Sequence, residues 1–162
     1  MSKRNKTVND LVRRGLETIE ESASIQEAAA KMRDAKVSSL LVVANHASGY
    51  TTPKGIVTER DLVRKVCAND IRTSDFKIKD IDSYPLIMIG SEASVSEAID
   101  TMLEKNVRHL LVVNDENKTG NNKPVGIITP LDLVRYGTDD DHSAGEAGNI
   151  IETIHRILDY YR

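Results

Sequence analysis

The sequence predicts an α+β fold built from two copies of one unit, and three observations lead there. Residues 22–43 and 92–113 superimpose at an offset of 70 without a gap, and ten of the 22 positions are identical. The string Gly55-Ile56-Val57-Thr58-Glu59-Arg60-Asp61-Leu62 returns as Gly126-Ile127-Ile128-Thr129-Pro130-Leu131-Asp132-Leu133, at an offset of 71. Within each copy, apolar residues first step by three and four and then crowd into short β-branched runs, so each copy holds helix and strand. The repeat divides the chain into units at residues 7–72 and 73–138 and a tail at 139–162 that resembles neither.

Each unit opens with a short segment that has one apolar side, Thr7 to Arg14 and Lys77 to Ile81, readable as a helix or turn. Short strands follow at Glu17-Thr18-Ile19 and Leu86-Ile87-Met88-Ile89. Ser24 and Ser94 each precede a Glu by three residues, Glu27 and Glu97, which is the capping-box spacing that starts a helix. The helices place Ile25, Ala28, Ala29 and Met32, and in the second copy Val95, Ala98, Ile99, Met102 and Leu103, on one face. Val37 with Leu40–Val43, and Val107 with Leu110–Val113, read as buried strands. Polar loops at 44–52 and 114–122 lead to returning strands at 54–58 and 123–129, expected to run antiparallel. Helices at 59–68 and 130–136 close the units, and residues 69–74 link them. In the tail, an acidic segment precedes Ala147, Ile150, Ile151, Ile154, Ile157, Leu158 and Tyr161, which have amphipathic helix spacing.

Composition narrows the function. Of 162 residues, 40% are hydrophobic and 29% charged, enough for a core under a well-solvated surface. The net charge of −3 gives no broad basic field, and one Phe, five Tyr and no Trp leave little to stack on bases, so nucleic acid is not an expected partner. Cys67 is the lone cysteine, which excludes an intrachain disulfide and suits a reducing compartment. No run of eighteen apolar residues exists and the first ten residues lack a signal-peptide core, so the expectation is a cytoplasmic protein without a membrane span.

The chemistry-bearing motif is Thr-x-x-Asp at the strand-to-helix corner. Thr58 and Thr129 suit N-caps, and Asp61 and Asp132 three residues later complete a capping-box arrangement, with Pro130 at the first helical position. A single copy would need no other account. Recurrence of the whole string adds a second one: amides and a hydroxyl at a helix start can take a phosphate, and a carboxylate beside them can accept both hydroxyls of a ribose. Nothing else reads as a catalytic or metal-binding constellation. His46, His109, His142 and His155 lack metal-ligand spacing, no nucleophile stands with a base, and there is no phosphate-binding GxxxxGK loop. An enzyme is not expected, nor a resident metal or required cofactor.

Taken in order and twice over, Val8-x-Asp10-Leu11, Ser24-Ile25-x-Glu27-Ala28, Leu40-Leu41-Val42-Val43 and Gly55-Ile56-Val57-Thr58-x-x-Asp61-Leu62 resemble a pair of CBS (cystathionine β-synthase) domains, a Bateman module, over about residues 7–138. The resemblance implies two βαββα units packed sheet to sheet about a pseudo-twofold axis. It also implies regulatory binding of AMP, ADP, ATP or another adenosine derivative. It assigns ribose contacts to Asp61 and Asp132, phosphate-side hydroxyls to Thr58 and Thr129, and base-lining positions to Thr18, Ile19, Met88 and Ile89. Ile56 and Ile127 are expected to touch base or ribose. Arg108 and His109, and Ser38 and Ser39 in the first copy, fall where phosphate contacts arise from the neighbouring unit. One pair is basic and the other neutral, so the expectation is two unequal sites, with the stronger built on Thr58 and Asp61. Family modules often pair, so a homodimer extended by the C-terminal helix and an effector protein are expected partners. The alternatives are a ligand-free oligomerisation scaffold, or a nucleic-acid-associated regulator using the basic start Lys3, Arg4 and Lys6.

Overall fold

The computed structural model describes residues 6–47, 49, 51–81, 86–114 and 123–138, together with positions 152, 155 and 159. The expected C-terminal helix and its apolar stripe lie outside the described residues, except that Glu152, His155 and Asp159 are helical and exposed. No helix among the described residues is long and apolar enough to cross a membrane.

The elements in order are α1 (Val8–Leu11), β1 (Arg13–Arg14), β2 (Thr18–Glu20), α2 (Ile25–Ala35), β3 (Ser39–Asn45), β4 (Thr51–Thr58) and α3 (Glu59–Asp61). There follow β5 (Met88–Gly90), α4 (Val95–Lys105), β6 (Leu110–Asn114), β7 (Lys123–Ile128) and α5 (Pro130–Thr138). The chain thus has a mixed α+β architecture. Each repeat contributes three strands of one plan to its sheet, and β1 adds a fourth to the sheet of the second repeat. β2 runs parallel to β3 and β3 antiparallel to β4; likewise β5 is parallel to β6 and β6 antiparallel to β7. The register slips once in each hairpin, between Val42 and Val43 and between Val112 and Val113. Val43 faces Pro53 and Val113 faces Pro124 at these slips, where a residue without an N–H does least harm to a ladder. The hairpin strand β4 starts at Thr51, inside the stretch expected to be loop.

Both capping boxes form. Ser24 Oγ accepts from the Glu27 amide at 3.2 Å, and the Glu27 carboxylate accepts from the Ser24 amide at 2.7 Å; Ser94 and Glu97 repeat both distances. The Ser24 and Ser94 amides, then their hydroxyls, hold the Glu27 and Glu97 carboxyls below the usual glutamate range. A depressed folded value means stability that is present above the unfolded glutamate pKa and lost as pH falls through the folded one. We expect the melting temperature to drop in acid below the ordinary glutamate range, and the double variant Glu27→Gln, Glu97→Gln to flatten that drop in a pH series followed by circular dichroism. An unchanged acid slope would rule out these boxes as its source.

The two compact units do not coincide with the two repeats. One comprises residues Leu16–Leu86; the other joins Met1–Gly15 to Ile87–Arg162. The opening segment of each repeat packs with the body of the other. Thr7 bridges Ser94, while the Val8 and Asn9 amides donate to the carbonyls of Ala93 and Ser91, both at 2.9 Å. Lys77 bridges Ser24, while the Ile78 and Lys79 amides donate to Ala23 and Glu21, both at 3.0 Å. Residues 13–14, expected as the end of a helix or turn, instead form β1, a two-residue strand antiparallel to β7. It has no apolar alternation to announce it.

The cores follow the same division. Ile25, Ala28 and Met32 of α2 pack with Leu40, Val42 and Val57 of the sheet, with Val66, and with Ile78 and Ile81. In the other unit Val95, Ala98, Ile99 and Met102 of α4 pack with Ile89, Leu110, Val112, Ile128 and Leu133, and with Val8 and Val12. Leu41 and Val43 point to the other face of β3 and are buried as well, which is why the strand reads as an unbroken apolar run.

Candidate functional site

The duplicated corners are built alike. β4 ends at Thr58, whose extended backbone makes it the cap of the helix that begins at Glu59. Asp61 Oδ2 accepts from the Thr58 amide at 3.0 Å and from the Thr58 hydroxyl at 2.7 Å, and the Asp61 amide donates to Thr58 Oγ1 at 3.2 Å. At the second corner Asp132 Oδ2 accepts from the Thr129 amide at 2.9 Å and from its hydroxyl at 2.7 Å. Asp61 is 9% exposed and Asp132 6%. A carboxylate so far from water is costly unless it is well hydrogen-bonded, and these bonds supply the partners. The amides expected to meet a phosphate are largely engaged inside the protein: the Glu59 amide donates to the Ser38 carbonyl at 3.0 Å, and the Asp132 amide to the Thr129 carbonyl at 3.1 Å.

Strand register brings several of the other candidates to each corner. Thr18, Leu41 and Ile56 lie side by side across β2, β3 and β4, and Ser39 pairs with Thr58 two residues further along. In the second unit Met88, Leu111 and Ile127 form the matching row. Each row sits on the sheet face away from the helix-packed core. Ile19 and Ile89 do not share it: successive strand residues alternate faces, and these two pack toward α2 and α4 respectively. Ser38 is exposed and Ser39 half-buried, beside Thr58. Arg108 and His109, both half-buried, immediately precede β6 in the unit that carries Thr129 and Asp132, with Arg108 Nε withdrawn from solvent. Met88 is 51% exposed and borders an open depression of about 410 Å³, lined also by Gly90, Ser91, Glu92, Val113 and Asn114. That depression does not include Thr129 or Asp132, so its position alone does not mark the corner.

The two corners part company beyond the Asp. α5 continues as a regular helix from Pro130 to Thr138. The first helix instead passes from α geometry at Glu59–Asp61 into a π turn at Leu62–Val66 and a 3₁₀ turn at Cys67–Asn69. Lys65, in the π turn, sets its ammonium 3.0 Å from Asp61 Oδ1. Lys65 belongs to no recurring motif, and the one signal for it in the sequence is its spacing of four from Asp61, the helical ion-pair spacing. Among the described residues no cluster of three His, Cys, Asp or Glu side chains is placed to hold a metal ion.

The profile of the CBS domain matches residues 8–68 and 78–139, which together hold both corners. The chain belongs to the CBS domain family. An uncharacterised protein of Methanopyrus kandleri is 33% identical over 132 residues, covering 82% of this chain and 63% of its own length. A CBS domain protein from Pyrobaculum aerophilum, complexed with AMP, matches with a TM-score of 0.65 and 25% identity, over 79% of this chain and 90% of that one. The CBS domain pair of protein MJ0100, in complex with 5′-methylthioadenosine and S-adenosyl-L-methionine, shares the fold with a TM-score of 0.67 and 23% identity, over 82% of this chain and 96% of that one. The chain spans about one to two thirds of the length of the first curated relatives it matches, at 63%, 32% and 64%.

Proposed function

We propose that this CBS pair is a regulatory module that binds an adenosine-containing ligand at its Thr-x-x-Asp corners and passes the change to a partner protein or a second copy of the chain. The observation that carries the reading is the pair of buried carboxylates, Asp61 and Asp132, each held beside a threonine at the end of a sheet row. A carboxylate fixed in this way can accept from a ribose hydroxyl through its Oδ1, and Thr18 with Ile56, or Met88 with Ile127, offers part of a sheet face for the base. The AMP held by the Pyrobaculum relative supports an adenosine ligand. Ser38 and Ser39 in one unit, and Arg108 and His109 in the other, make the corners unequal in charge. A ligand that prefers one arrangement of the module shifts its population only by its difference in affinity between arrangements, so the output depends on that difference rather than on tightness of binding.

A thermal-shift panel of AMP, ADP, ATP, S-adenosylmethionine and NADH tests this. The expected result is stabilisation by at least one adenosine compound, of about 2.7 kcal/mol at a hundredfold excess over Kd. A second reading, a scaffold without ligand, is favoured by the completeness of the caps, since the Thr and Asp groups already satisfy one another. No shift with any of the five compounds would leave the scaffold in place and sink the sensor.

A further inference from the structure

We propose that Lys65 is the specificity-determining residue of the first corner, the one that lets it accept a phosphorylated nucleoside in preference to an uncharged one. The proposal rests on the sensor reading above and adds a residue and a ligand charge to it. The Lys65 ammonium lies 3.0 Å from Asp61 Oδ1 and donates to the carbonyl of Ile81 at 2.7 Å. Two anchors hold it, one on the ribose-facing carboxylate and one on the segment that packs under α2. The Asp61 side chain is 12% exposed and the Lys65 side chain 42%, so the pair sits at the border of solvent with the negative member inside.

The electrostatics follow. A buried carboxylate that takes a ribose also repels the phosphate attached to that ribose. The repulsion acts over a few ångströms through a partly excluded solvent, where one charge is worth far more than in water. An ammonium in contact with Asp61 Oδ1 offsets that repulsion, and with Oδ2 taken by the Thr58 amide and hydroxyl it leaves one lone pair, on Oδ1, for a ribose hydroxyl. The Ile81 carbonyl matters because it keeps the lysine from following its own side-chain entropy out to solvent. The π turn at Leu62–Val66 is the local feature in which this lysine is presented, and turns of this kind are frequent at functional sites. In the second repeat the corresponding residue at the offset of 71 is Tyr136, so the feature belongs to one corner.

The test is calorimetric titration of the full chain with AMP and with adenosine, for wild type, Lys65→Met and Lys65→Arg. Methionine keeps the length of the side chain and removes its charge. We expect Lys65→Met to weaken AMP about tenfold, as loss of one nearby charge should, with adenosine held within about twofold, and Lys65→Arg to restore the preference for AMP. Equal losses for AMP and adenosine would assign Lys65 a purely structural role and overturn the proposal, as would unchanged affinity for both. Wild-type protein that binds neither compound would overturn the sensor reading, and this proposal with it. Binding of both with no effect at Lys65 overturns this proposal alone.

Discussion

Replacing Asp61 by alanine is expected to weaken AMP binding about 100-fold, measured by calorimetry on the full chain. One ribose hydroxyl donating to the charged Asp61 Oδ1 contributes up to about 3 kcal/mol, the upper end for a hydrogen bond to a charged group, and 1.4 kcal/mol is a factor of ten. The same substitution removes the partner of the Thr58 amide and hydroxyl and leaves Lys65 without its carboxylate. Stability therefore falls as well, by about 1 kcal/mol, the usual worth of a cap. Thr58→Ala separates the two effects. It breaks the cap from the other side and leaves the carboxylate in place, so it is expected to lower the melting temperature with the smaller loss of affinity. Asp132→Ala is expected to cost AMP binding less than Asp61→Ala, because the first corner is the one with Lys65 beside its carboxylate. The reverse order would show that the second corner is the AMP site and that the charge argument is mistaken.

Ile78→Ala should destabilise the unit of residues 16–86 by about 2–5 kcal/mol, the range for truncating a buried isoleucine. Ile78 is 0% exposed and packs with Ile25, Met32, Leu40 and Val57. By sequence it opens the second repeat, yet its neighbours belong to the first. Hydrogen exchange followed by mass spectrometry should therefore quicken in residues 25–35, 39–43 and 55–66, with 95–113 and 123–133 unaffected. Val8→Ala should do the converse, since Val8 packs with Val95, Met102, Leu110 and Leu133. If Ile78→Ala loosened 95–133 instead, the exchange of opening segments would be wrong.

Much of this was legible because its signals are local. Ser24 with Glu27 and Ser94 with Glu97 read as helix starts, and the helices begin at Ile25 and Val95. Leu40–Val43 and Leu110–Val113 read as buried strands, and both are. The Thr-x-x-Asp corners read as caps, and their hydrogen bonds are those of caps. Each such signal depends on residues within a turn or two of one another, and a chain segment carries them wherever it goes. Ile19 and Ile89, expected to line a base, pack with the helix-covered cores, and no local signal shows this. A three-residue strand shows too little alternation to tell which of two neighbours faces the core, and these two do.

The duplicated sequence, then, determined the repeat, the order of elements and the identity of the two corner carboxylates. Only the tertiary structure decided which opening segment covers which helix start, and that Lys65 is tied to both Asp61 and Ile81. The physical reason is the repeat itself. Val8-Asn9-Asp10-Leu11 and Ile78-Lys79-Asp80-Ile81 have the same polarity pattern, and either would fit beside Ser24 or Ser94 as far as local chemistry goes. The choice between them rests on packing between residues far apart in the chain, such as Val8 with Leu133, which no local pattern records.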